Sequence, residues 1–209
     1  MRIRNGARPA ASLGGVAHSR TRSIVLCGLS IALLSVGAAI QVPLGPIPFT
    51  LQTLSLILVL LILTPAEALG AVGGYLAIGL IGLPVFAGFR GGFGVLLGPT
   101  GGFLTGFFVA ALAVALLRVL LEDRVGGHWA AAAVLDVLCV VAATVAYYAV
   151  GVLWFSFSTG ATISASLAVC VLPFLIPDIL KAVAAFVCAQ PIRVALGRAT
   201  WRKRPLQPE

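Results

Sequence analysis

Apolar positions along the chain fall into long uncharged runs separated by short stretches rich in glycine, proline or arginine. A helix needs about 20 apolar residues to cross about 30 Å of hydrocarbon. The first run, Ile24 to Val42, meets that length without a charge. Pro43, Pro46 and Pro48 then break it. Leu51 to Leu63 predicts a short second span, and Ala66 to Gly82 a third. Thr64-Pro65-Ala66-Glu67 joins them as a tight turn. Pro65 suits a first helical position and Glu67 the positive end of a helix dipole. Thr100 to Leu121, Trp129 to Leu153 and Leu167 to Ile192 predict three more spans. Residues 83–99 are apolar yet full of glycine and proline, so they read as an outer loop over a pocket or a re-entrant piece. Residues 154–166 read as a loop whose Trp154 and Phe155 suit an interface belt.

Composition supports a membrane protein. Hydrophobic residues are 60% and charged residues 10% of 209, and mean hydropathy is +1.12. Soluble domains carry about 25% charged residues. The net charge of +8 does not point to nucleic acid, because the basic residues lie at the ends. Arg2, Arg4, Arg8, Arg20 and Arg22 precede the first span. Arg118 and Arg124 flank the connection between the fourth and fifth. Arg193, Arg198, Arg202, Lys203 and Arg204 follow the sixth. Six spans with both termini in the cytoplasm put all of these on one side, as the positive-inside rule requires. The expected layout is a basic, disordered cytoplasmic tail over residues 1–23, a six-helix domain over 24–192 and a basic cytoplasmic tail over 193–209.

The chemistry-bearing residues are few. Cys27, Cys139, Cys170 and Cys188 sit in apolar runs without metal-binding spacing and read as small buried hydrophobes. No metal site or nucleophile–base pair is expected, and no enzyme. There is no GxxxxGK[ST] loop for ATP. Asp178 and Lys181 interrupt the sixth run, three residues apart on one helix face. A central charge costs about 2.5–3.5 kcal/mol on insertion scales, so both should face the bundle interior. Pro173 and Pro177 just before them suggest a broken helix of the kind carriers use for substrate. Arg90, amid glycines in the outer loop, could fork a carboxylate. Gln52 and Thr53 open the second span, and Gln52 is a candidate for ligand contact or helix–helix bonding. Tyr75 is a candidate pocket wall. Asp136 has no evident partner and reads as solvated near the cytoplasmic end. Gly28 with Ala32, and Gly70 with Gly74, form small-xxx-small ridges suited to close helix contact.

Three segments resemble the BioY family, the biotin-uptake S components of energy-coupling-factor (ECF) transporters. They are AIQVPLGPIPFTLQTL (Ala39 to Leu54), GLPVFAGFRGGFGVLLGPTGGFLTGF (Gly82 to Phe107) and LPFLIPDILKA (Leu172 to Ala182). The resemblance implies an all-α, ECF S-component-like bundle of six transmembrane helices with irregular outer loops over a pocket. It implies biotin as the transported ligand, no cofactor, and docking in the bacterial cytoplasmic membrane onto a transmembrane T component with two ABC-type ATPases. Self-sufficient biotin carriage, or another small vitamin, is the alternative. Asp178, Lys181 and Arg90 match family binding positions, Tyr75 and Leu76 lie near where some relatives carry an amide that has no counterpart here, and Gly28 and Ala32 resemble the partner-docking motif.

Overall fold

The computed structural model describes residues 13–43, 47–125 and 128–197. Of the expected tails at 1–23 and 193–209, residues 1–12 and 198–209, with Arg2, Arg4, Arg8, Arg198, Arg202, Lys203 and Arg204, lie outside the described residues, while 13–23 belong to α1 and 193–195 to α8. The order is α1 (Leu13–Ala39), β1 (Gln41–Val42), β2 (Phe49–Thr50), α2 (Gln52–Ile62), α3 (Pro65–Leu80), α4 (Phe93–Leu97), α5 (Gly101–Leu121), a 3-10 turn (Glu122–Val125), α6 (Trp129–Thr159), α7 (Ile163–Cys170) and α8 (Leu175–Ala195).

Among the described residues, four helical stretches are long and apolar enough to cross a membrane: Arg20–Ala39, Gly101–Val125, Trp129–Thr159 and Leu175–Ala195. The expected second and third spans are shorter apolar helices, Gln52–Ile62 and Pro65–Leu80. At 1.5 Å per residue α2 covers only about 17 Å. The antiparallel β1–β2 ribbon precedes it, pairing Gln41 with Thr50 and Val42 with Phe49.

The expected single sixth helix is two. Val171 to Phe174 form turns between α7 and α8, because Pro173 cannot continue a helix begun before it. Pro177 falls in the first turn of α8, where a missing N–H costs nothing. The expected loop over 154–166 is also shorter. Helix α6 runs through Trp154 to Thr159 and stops at Gly160, whose φ of 71° ends it in the left-handed region. Helix α1 begins at Leu13, ahead of the apolar run from Ile24.

Helices α2 and α3 form the centre, with Leu56, Ala71 and Val72 fully buried. Thr64 caps α3 in a capping box with Glu67. Ser23 of α1 also donates to Glu67, at 2.6 Å. Gly70 and Gly74 of α3 face Cys27 and Ile31 of α1, so this ridge is internal packing. Helices α5 and α6 touch along glycines: a Cβ on Gly106 would stand 3.0 Å from the Tyr147 backbone, and one on Gly102 would collide with Trp154. The outer loop folds onto the end of α3, where Phe86 occupies the space a Gly79 side chain would need. All four cysteines are free, and Cys188 is exposed rather than buried.

Candidate functional site

One cavity, with about 680 Å³ of empty space including its open mouth, lies between the β1–β2 ribbon, the outer loop and helices α2, α5, α6 and α8. Asp178, Lys181, Gln52, Thr53 and Arg90 all line it.

The turn at Val171–Phe174 sets Asp178 in the first turn of α8, where the helix dipole favours an anion. Its backbone N–H donates to the Phe174 carbonyl at 2.8 Å. Asp178 Oδ1 accepts from Lys181 Nζ at 2.7 Å and from the Thr53 hydroxyl at 3.2 Å. Oδ2 accepts from the Tyr147 hydroxyl at 3.0 Å and the Tyr148 hydroxyl at 2.7 Å. Lys181 Nζ also donates to the Thr53 hydroxyl at 3.2 Å and stands 3.9 Å from the Phe49 ring centroid. Asp178 and Lys181 are 7% and 6% exposed. A buried ion pair this dry persists only when its remaining lone pairs and protons are also met. Here three side chains, Thr53 of α2 and Tyr147 and Tyr148 of α6, meet them.

Arg90 stands at the mouth. It is exposed, its Nε donates to the Ala87 carbonyl at 3.1 Å, and a backbone bridge to Phe86 fixes its position. The terminal guanidinium nitrogens form no hydrogen bond among the described residues. Phe89 beside it holds a positive φ of 54°, an uncommon state for a bulky residue. Much of the remaining lining is apolar, including Phe103, Phe107 and Phe174.

Gln52 opens α2, and its Nε2 donates to the Tyr75 hydroxyl at 2.7 Å. Tyr75 itself does not line the cavity; it is fully buried behind Gln52 and donates to the Val85 carbonyl at 3.0 Å. Gly28 and Ala32 are far from this site, both exposed on the outer side of α1.

Sequence reasoning missed Tyr147, Tyr148 and Phe49. Two adjacent tyrosines in an Ala- and Val-rich span were a usable signal, because a buried phenol needs a partner. Asp136 requires correction. It is 2% exposed, not solvated. Arg193 grips both its oxygens, at 2.5 and 2.8 Å. Arg118 adds a bond of 3.1 Å and Gln190 one of 3.3 Å. The partners come from α5 and α8, so no pattern within α6 could reveal them.

The architecture is that of a helical integral membrane protein. It superposes on the "Crystal structure at 2.1 A of the S-component for biotin from an ECF-type ABC transporter" with a TM-score of 0.73, at 24% identity, covering 85% of this chain and 93% of that one. The family assignment is sharper: residues 9–198 match the BioY family, and the chain belongs to it. It is 38% identical to the biotin transporter BioY of Thermotoga maritima over 80% of this chain and 94% of that protein. It is 34% identical to the probable biotin transporter BioY of Pyrococcus horikoshii over 82% and 96%. The biotin transporter BioY of Rhizobium etli shares 31% over 90% and 97%. These relatives are transporters, not enzymes.

Proposed function

We propose that this chain captures biotin at the outer face of the bacterial cytoplasmic membrane and delivers it inward. One observation carries the reading: a single cavity is lined by the exposed Arg90, by the buried Asp178–Lys181 pair and by apolar side chains such as Phe103 and Phe107. Biotin has the complementary build. Its ureido ring offers N–H donors and a carbonyl, its valerate chain is apolar, and its carboxylate is anionic. The Lys181 ammonium at the floor suits the ureido carbonyl. The terminal nitrogens of Arg90 at the mouth suit the carboxylate, which a guanidinium can fork with two bonds.

The six apolar helices α1, α2, α3, α5, α6 and α8 cross the membrane in this reading, with both termini in the cytoplasm. Residues 1–23 and 193–209 are then basic cytoplasmic ends. The chain carries no ATP-binding loop, which supports work as an S component with a T component and two ABC-type ATPases. The pure protein in liposomes would then bind biotin without accumulating it; uncoupler-sensitive accumulation would favour the self-sufficient carrier instead.

Calorimetry of the purified protein in detergent tests the site. Biotin should bind to the parent. Binding should be lost in Lys181→Ala and for an analogue without the ureido ring. Parental affinity in both controls would overturn the assignment.

A further inference from the structure

The hydrogen-bond directions at Gln52 are settled by the protein itself. Tyr75 sits 2.7 Å from the Gln52 amide and 3.0 Å from the Val85 backbone oxygen. A carbonyl oxygen only accepts, so the single Tyr75 proton goes to Val85. The Tyr75 oxygen then has lone pairs to offer, and Gln52 must face it with Nε2. Turning the amide over would set Oε1 against Tyr75. Either Oε1 or the Val85 carbonyl would then lack a proton, which is costly at a buried site. Gln52 Oε1 accepts nothing among the described residues, and Gln52 lines the cavity. Asp178 differs: a carboxylate has about four lone-pair sites, and Thr53, Lys181, Tyr147 and Tyr148 fill them.

We propose that Tyr75 is a positioning residue that locks the Gln52 amide with Oε1 toward the cavity, making Gln52 the acceptor that selects a ligand carrying a ring N–H. This rests on the reading of the cavity as a biotin site and names the contact of one ureido N–H. The lock also reaches the outer loop. Val85 belongs to that loop, and the neighbouring Phe86 packs edge-on against the Tyr75 ring at 5.5 Å between centroids.

The test uses the full-length protein in detergent, with biotin and its two carbamate analogues, in which one or the other ureido N–H is replaced by ring oxygen. Tyr75→Phe keeps the ring and removes the lock. It should weaken biotin about tenfold, the worth of one buried hydrogen bond. The parent should bind one of the two carbamates about tenfold more weakly than biotin, and Tyr75→Phe should weaken that carbamate no further. Gln52→Met should give the same pattern, and it stands in if Tyr75→Phe does not fold. Equal weakening of biotin and both carbamates would mark Tyr75 as merely structural and overturn the proposal. Unchanged biotin affinity in both variants would do the same. A parent that binds no biotin would overturn the functional reading beneath it.

Discussion

A buried carboxylate needs donors in place of water, and Asp178 has four of them. The most exposed of its tyrosine partners is Tyr148, which also meets Phe103 edge-on, 6.5 Å between centroids. Tyr148→Phe deletes one charge-assisted bond and leaves the ring in place. Such bonds contribute about 1.5–3 kcal/mol, so ligand affinity should fall about tenfold or more in a calorimetric titration. Unaltered affinity would show that Tyr147 alone holds Oδ2. The ion pair was legible in the sequence because charge is rare in an apolar run, and i, i+3 spacing puts both residues on one face. The tyrosines were not, since a phenol in a span is as often packing as function until its partner is known.

Helix packing depends on a second buried charge group. Arg118 of α5, Asp136 of α6 and Arg193 of α8 meet one another, and both arginines also reach the Leu61 carbonyl near the end of α2, at 3.4 and 2.5 Å. The group ties four helices together. Arg118 Nε is buried without a partner, so the arrangement tolerates little further loss. Asp136→Ala would leave two arginines buried beside each other, a change worth about 3–5 kcal/mol of destabilisation. A large fall in the thermal midpoint in detergent should follow. A midpoint within a degree or two of the parent would mean that water already solvates the group. Counting charges for topology assigned Arg118 and Arg193 to the flanks of spans. Their side chains instead turn inward, because a carboxylate on a neighbouring helix offers more than the aqueous boundary does.

The whole bundle presents one side of α1 with no neighbour. A Cβ on Gly28 would meet nothing within 4 Å, while Ile24, Leu29 and Val36 are exposed around it. The matching ridge on α3 is spent on internal contact. If a T component docks as proposed, Gly28 and Ala32 are the strip this contrast offers it. Ala32→Leu should leave biotin binding within twofold or so of the parent, since the strip is remote from the cavity, yet abolish ATP-driven uptake in cells that supply the partner subunits. Uptake at the parental rate would remove the strip from the interface, and lost binding would show a fold defect instead.

Hydropathy alone established a membrane protein, the position of each apolar run and the break at Pro43 to Pro48, and it singled out Asp178, Lys181 and Arg90 as candidates. These are local properties. A helix needs length and apolar side chains, a proline removes one donor, and a lone charge in lipid stands out without knowledge of its surroundings. Folding decided the rest: the split of the last run into α7 and α8, the burial of Asp136 between two arginines, the withdrawal of Tyr75 behind Gln52, and the gathering of Thr53, Tyr147 and Tyr148 around one carboxylate. Each of these depends on which residues face each other across helices separated by tens of positions in the chain. No periodicity within one helix encodes that, because the partner is chosen by how the helices pack.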